Sequence, residues 1–343
     1  MLIFFRKLLM ESVRPKISIV LTGRNDNYGG NFSMRLQNCV NALHSQLKQN
    51  NISSEIIFVN YNPLPFPPIE TFINWPKSDD LIQITIITVS HEHHTSLVET
   101  GDKKDLPILE FPAKNVGILQ ASGEFILCMN ADIILPKGFF ALLTNPNPNY
   151  YYRADRHDFD MQIAESVGME NAVIRVLSKG FTYTCSPRRI DRKTYFKMSG
   201  WKLLDFLSYH FFTFLGPYFR VPWNTYFTPK AEMHFHCNAS GDFFMMHRDI
   251  WHLIRGYNER VSDALHVDSL LVIQSAISGL KERILPIPIY HQDHERRYNP
   301  NVQFTNYNWF QKEAQQMLKS RKLTIHNSAN WGMANFTLSK TVL

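Results

Sequence analysis

KNVGILQASGEFILCMNADIILP, residues 114–136, reads as a helical stretch followed by a buried strand that ends in a carboxylate. Helical character runs from Pro112 to Ala121, Glu124 to Met129 is an apolar run of strand length, and polarity returns at Asn130-Ala131-Asp132. An acid just past the C-terminal end of a buried strand stands where open α/β sheets bind ligands, because loops and helix N-termini converge there. Asp132 is therefore the first candidate site residue: a carboxylate there can hold a divalent cation that takes up the charge of a diphosphate leaving group. Taken alone, an Asp that merely closes a loop is the more common case.

Outward from this stretch, Lys16 to Leu21 (KISIVL), Glu55 to Asn60 (EIIFVN) and Ile82 to Val89 (IQITIITV) are β-branched apolar runs. Between the first two, Leu36, Val40, Leu43 and Leu47 recur at spacings of three or four, the stripe of an amphipathic helix. This alternation predicts an α/β fold with a mixed, mostly parallel central sheet flanked by helices. Pro63, Pro65, Pro67 and Pro68 make residues 62–80 a surface connection. Further on, Asp242 to Met246 is strand-like, and Arg248 to Arg255 and Asp268 to Ser278 are helix-like. Arg283 to Tyr290 is expected to close as one edge strand, given its prolines. Phe310, Ala314 and Met317 or Leu318 share a helical face that packs back on the body.

Composition narrows the function. With 44% hydrophobic and only 19% charged residues, the 343-residue chain has the apolar content of a folded enzyme and not of a disordered segment. The net charge of +6 favours anionic partners, but RRIDRK (188–193) and HERR (ending at Arg297) are too short for a nucleic-acid arm. Phosphate or a membrane surface is the expectation, and nucleic acid is not. Cys39, Cys128, Cys185 and Cys237 are too scattered for a zinc knuckle or a disulfide framework, which fits a reducing, cytoplasmic compartment. The apolar opening MLIFFRKLLM is too short to span a bilayer. His91-Glu92-His93-His94 lacks the second His of a zincin helix, since Thr95 stands four residues after His91. Neither a P-loop nor a dinucleotide fingerprint occurs, which sets aside kinases and dehydrogenases.

The motif order resembles bacterial glycosyltransferases of the GT-A fold, with similarity to glycosyltransferase family two and to the β-1,4-galactosyltransferases. Its carriers are KNVGI, NADI, YRADRHD (152–158), HCNASGDFFMMHRDIWHLIRGYNE (236–259), HVDSLL (266–271) and IYHQDH (289–294). The resemblance implies that Asp132 is the metal-binding acid of an Asp-x-Asp motif whose first acid is here Asn130. It implies that His291 completes the metal site, with His294 as the competing ligand, around Mn2+ or Mg2+. Thr22, Arg24 and Asp26, after the first strand, would hold the donor base and ribose. Asn115, Gly117, Asn130, Arg153 and Asp155 would contact the nucleotide sugar. Asp242 would face the acceptor, and Asp268 would be the catalytic base, with Glu259 and Asp263 as substitutes. Each has a plainer reading as well: a turn for Arg24 and Asp26, a helix cap for Asn115 or Asp268, a buried ion pair for Arg153.

The resulting expectation is a tail over residues 1–14, a glycosyltransferase domain over 15–300 with an acceptor-side excursion at 157–234, and a helical tail over 301–343. The activity implied is metal-dependent, inverting transfer from a nucleotide diphosphate sugar, UDP-sugar favoured, to a hydroxyl of a glycan or glycolipid. Two rivals stand beside it. A nucleotidyltransferase making the nucleotide sugar would carry a Lys that TGRNDNYGG lacks; a non-catalytic sugar-binding module is suggested by Asn130 and the lone Asp268. The aromatic stretch 201–223 is either a buried stripe or an apolar lip for a lipid-linked acceptor. Its basic borders favour the lip and peripheral contact with an anionic bilayer.

Overall fold

Strand β1 (Ile17–Gly23) is buried along its whole length, as its unbroken ISIVL run requires of a central strand covered on both faces. In the computed structural model, which describes residues 14–98, 106–159, 183–185, 235–237, 239–259, 265–294 and 300–343, β1 pairs in parallel with β2 (Ser54–Tyr61) on one side. On its other side it pairs in parallel with β4 (Phe125–Met129). β3 (Ile82–Val89) extends the parallel set beyond β2. Helix α1 (Phe32–Gln49) joins β1 to β2, and its stripe of Phe32, Leu36, Cys39, Val40, Leu43 and Leu47 is buried against one face of the sheet. A single turn, α2 (Ile69–Phe72), interrupts the proline-rich connection, and α3 (His91–Val98) follows β3.

Helix α4 (Glu110–Gln120) covers the opposite face. Gly117 is what lets it approach: a Cβ there would overlap Val20 Cγ1 and stand 3.1 Å from Val59 Cγ2. Gly117→Ala is therefore expected to cost about 1–3 kcal/mol, as overpacked cores do, and chemical denaturation will read it as a lowered midpoint.

After β4 come the two-residue β5 (Ile133–Ile134), then β6 (Tyr150–Arg153), β7 (Arg156–Phe159) and β8 (Tyr183–Cys185). β9 (Phe243–His247) runs antiparallel to β4, which brings Asp242, just before it, to the C-terminal end of β4. Helices α5 (Arg248–Ile254) and α6 (Val267–Ile277) precede β10 (Lys281–Ile284) and β11 (Ile289–Gln292). The main sheet has the order β10-β6-β9-β4-β1-β2-β3-β12, and a smaller sheet the order β5-β11-β7-β8. The architecture is thus α/β, with a large, mixed central sheet whose core is parallel and flanked by helices.

Two expectations need correction. Arg283 to Tyr290 is not one edge strand: Pro286 and Pro288 break it, so β10 ends the main sheet while β11 enters the smaller one. Nor is 301–343 wholly helical. Helix α7 (Pro300–Ser320) buries Phe310, Ala314, Met317 and Leu318, but the chain then returns to lay β12 (Ser339–Val342) antiparallel along β3. Residues 201–223 lie outside the described residues, so the reading of the aromatic lip has no structural counterpart. Among the described residues no helix is long and apolar enough to cross a membrane.

Candidate active site

The parallel strands deliver their C-terminal ends to one side of the sheet, and Asp132 lies there, three residues past β4. The smaller sheet supplies its neighbours through register. In β11, His291 pairs with Ile133 of β5 on one side and with Asp158 of β7 on the other. Consequently His291 Nε2 stands 3.6 Å from Asp132 Oδ2, and its Nδ1 stands 3.5 Å from Asp158 Oδ1. His294 Nε2 comes within 3.2 Å of the same Asp132 oxygen.

Two ligand atoms each about 2.1 Å from a shared ion, at angles near those of an octahedron or tetrahedron, lie roughly 3–3.5 Å apart. The 3.2 Å between His294 and Asp132 falls in that range and the 3.6 Å between His291 and Asp132 lies just beyond it, all three ligand atoms lie within 4.8 Å of one another, and one carboxylate with two imidazoles is a donor set suited to Mn2+ or another divalent transition ion. A further observation points the same way: Asp132 Oδ1 is buried without a hydrogen-bond partner, whereas buried carboxylate oxygens are ordinarily satisfied. The residues therefore fit a cation. Asp158 Oδ1 stands 3.5 Å from Nδ1 on the other side of the His291 ring, where a carboxylate would orient the ring toward a cation, and Asp158, His291 and Asp293 form a second group of ligand atoms close enough for one.

Arg35 shares this carboxylate. It is fully buried in α1, donates from Nη1 to Asp132 Oδ2 at 2.7 Å, and also donates to the backbone oxygens of Tyr28 and Gly30. Burial by itself would raise the Asp132 pKa, but His291, together with His294 and Arg35, holds the carboxyl well below its usual range. Conversely, burial lowers His291 and the facing Asp132 more than reverses this, lifting the imidazole to about 9. The pocket thus gathers positive groups around one carboxylate.

From Asp158 the polar chain continues to Asp242. Arg156 Nε lies 2.9 Å from Asp158 Oδ1, and its Nη1 lies 2.5 Å from Asp242 Oδ2. Asn130 Nδ2 donates to Asp242 Oδ1 at 2.7 Å, and Asn130 Oδ1 accepts from the fully buried Lys114 at 2.6 Å. Lys114 also donates to Glu110 and to the Gly241 carbonyl, and the Gly241 N–H donates to Asp268 Oδ2 at 2.7 Å. Asp132, His291, Asn130, Asp242 and Asp268, expected from sequence, are therefore joined in one network.

Thr22, the penultimate residue of β1, and Arg24 and Asp26 just past it sit at the same end of the sheet. Thr22 donates to the Val59 carbonyl, Arg24 donates from Nε to the Asn62 carbonyl, and Asp26 pairs with Arg24 at 3.4 Å. Asp155 takes His236 at 2.8 Å. Three other expected residues are engaged in contacts within the protein. Asn115 is fully buried; its amide donates to the Tyr257 carbonyl and Glu259 and accepts from the Tyr257 N–H, bolting the turn after α5 to α4. Gly117 is taken up in helix–sheet packing. Arg153, equally buried, donates to the carbonyls of Phe243 and His236. Glu259 Oε1 accepts from the Asn115 amide and from the Gly332 N–H. Asp263 lies outside the described residues. The His91–His94 stretch opens α3, where His91 bonds Asn62 and His94 bonds Tyr61.

Arg35, Asp158, Glu110 and Lys114 were not singled out in the sequence as site residues. One signal for Arg35 was present: it is a charged residue on the mostly apolar face of α1. Lys114 opens the quoted KNVG but gives no sign there of being buried.

No protein-family model matches the chain, and no curated protein matches it. Among solved structures, the chain is similar to S. aureus TarS 1–349, with a TM-score of 0.44 and 12% identity over 93% of this chain and 68% of that one. It is similar to the mannosyltransferase PcManGT from Pyrobaculum calidifontis, solved with GDP-Man and Mn2+, with a TM-score of 0.40 and 12% identity over 97% and 79%. The catalytic domain of Drosophila beta1,4galactosyltransferase 7, solved with xylobiose, aligns with a TM-score of 0.39 and 10% identity over 92% and 82%. Likeness at this level leaves the chemistry to be argued from the chain's own residues.

Proposed function

We propose that this protein is a metal-dependent glycosyltransferase that moves a sugar from a nucleotide diphosphate donor, UDP-sugar favoured, to an acceptor hydroxyl with inversion. The observation that carries this reading is the convergence of Asp132, His291 and His294 at the C-terminal end of the parallel sheet, with Asp132 Oδ1 buried and unsatisfied. A divalent cation bound there would neutralise the diphosphate as it departs, without proton transfer. Thr22, Arg24 and Asp26, at and just past the end of β1, would border the nucleoside. Asp268, on the far side of Gly241, would take the proton of the acceptor hydroxyl, and Asp242 would orient that acceptor. A glycan or lipid-linked acceptor suits this arrangement, and the peripheral membrane contact proposed for 201–223 rests on sequence alone.

A second reading is favoured by one contact. Arg35 already places a guanidinium on Asp132, so Arg35 and His291 could receive the diphosphate without a metal. The test is thermal denaturation with uridine, guanosine and other nucleoside diphosphates, with and without Mn2+, followed by nucleotide release from the donor that stabilises. A ligand binding the folded state alone at 100 times its Kd adds about 2.7 kcal/mol, an effect easily read. Joint stabilisation by nucleotide and Mn2+, lost in EDTA, supports the first reading. Stabilisation indifferent to EDTA selects the second. Binding with no nucleotide release in the presence of acceptors leaves a sugar-nucleotide-binding module.

A further inference from the structure

We infer that Asn130 is the neutral link of a part-buried bridge, Lys114 to Asn130 to Asp242, that positions the acceptor-side carboxylates, and so is not a decayed metal ligand. This rests on the reading of the site as one of glycosyl transfer.

The argument begins with Lys114. Its ammonium has three hydrogens and three acceptors: Glu110 Oε1 at 2.6 Å, Asn130 Oδ1 at 2.6 Å and the Gly241 carbonyl at 2.9 Å. The side chain is fully buried, so none of these contacts is exchanged for water without loss. Asn130 lies between this cation and the Asp242 carboxylate, to which it donates at 2.7 Å. Only one orientation of its amide satisfies both neighbours: oxygen toward the ammonium, NH2 toward the carboxylate.

An ionised acid at this place has no such solution. Ionised, it would keep the bond to Lys114 but set a second carboxylate at hydrogen-bond distance from Asp242, with no proton between them. Asp242 needs the donor from Asn130, because its other oxygen is held by Arg156 at 2.5 Å and the two contacts together fix the plane of the carboxylate. The same ammonium grips Gly241, whose N–H holds Asp268 Oδ2. Lys114 and Asn130 are thus positioning residues for both Asp242 and Asp268, and Asn is the residue type that this charge pattern demands.

The test compares the native protein with Asn130→Asp, Asp242→Asn and the double variant, reading melting temperature, Mn2+ affinity by calorimetry, and turnover. Asn130→Asp is expected to lower the melting temperature by roughly 5 °C and to bind Mn2+ no more tightly than the native protein. The double variant exchanges the two groups, so the amide at 242 can donate to the carboxylate at 130, and stability should return to within roughly 2 °C of native. Turnover should stay about 100-fold down, because the carboxylate has moved to the wrong place. An Asn130→Asp protein as stable as native, or binding Mn2+ more tightly, overturns the bridge. So does a double variant that regains no stability. A double variant that regains turnover together with stability leaves the bridge structural and removes the positioning role. If the native protein transfers no sugar, the glycosyl-transfer reading fails, while the stabilities of the three variants still decide the bridge.

Discussion

Asp132→Asn is expected to abolish Mn2+-dependent stabilisation and to lower transfer about 10²- to 10⁴-fold, the equivalent of the several kcal/mol a metal contributes to leaving-group departure. The amide keeps the shape of the carboxylate but offers no charge to a cation, and it leaves His291 and Arg35 facing each other without their shared counter-ion. Breaking a buried pair in this way costs roughly 3–5 kcal/mol, so the variant should melt earlier even in EDTA. Stability alone therefore does not identify a metal site, and Arg35→Met supplies the contrast. That variant also melts earlier without metal, since Asp132 loses its guanidinium. Yet its Mn2+-induced rise in melting temperature should exceed the native one, because the competing cation is gone. Opposite signs in the two variants mark Asp132 as a ligand and Arg35 as its competitor. An undiminished Mn2+ response in Asp132→Asn would place the cation elsewhere.

Much of this was readable before any coordinates, and the exceptions share a physical cause. β1, β2 and β4 announce themselves because a strand covered on both faces reads as a near-continuous apolar run, and β3 keeps its β-branched pattern although Gln83 is exposed. β12 does not, since SKTV lies on an edge with three of its four residues exposed, and its pairing with β3 depends on where the chain returns after α7. Arg283 to Tyr290 looks continuous in hydropathy, yet its two halves serve different sheets, which only the prolines hint at. In the site, Asp132 and His291 could be placed by motif order. Asn115 and Arg153 stood in the right motifs but are buried, and a buried polar group must find protein partners before it can serve a ligand. Arg35, Lys114 and Asp158 escaped notice because their role depends on contacts between residues as far apart as 35 and 132, or 114 and 241.

Asp268→Asn is expected to leave nucleotide and Mn2+ binding within about twofold of native while lowering turnover about 10²- to 10⁴-fold, the range of general-base catalysis. The reasoning is geometric. Asp268 lies in the first turn of α6, and its two oxygens accept from the Gly241 N–H at 2.7 Å and from its own neighbour Ser269 N–H at 2.9 Å. Those donors fix the direction of the carboxylate, and the bond to Gly241 ties it to the turn that carries Asp242. None of these contacts involves Asp132, His291 or His294, so metal binding should survive the substitution; an amide at 268 can still accept one of the two N–H groups. Glu110 provides the check. Its Oε1 stands 3.7 Å from where a Cβ on Gly241 would lie, against 3.4 Å for Asp268 Oδ2, so both acids border the same spot. Glu110 Oε1 is, however, already engaged by the Lys114 ammonium at 2.6 Å. Glu110→Gln should therefore cost less turnover than Asp268→Asn, with donor binding unchanged in both. Near-normal turnover in Asp268→Asn alongside a large loss in Glu110→Gln would transfer the role of base to Glu110.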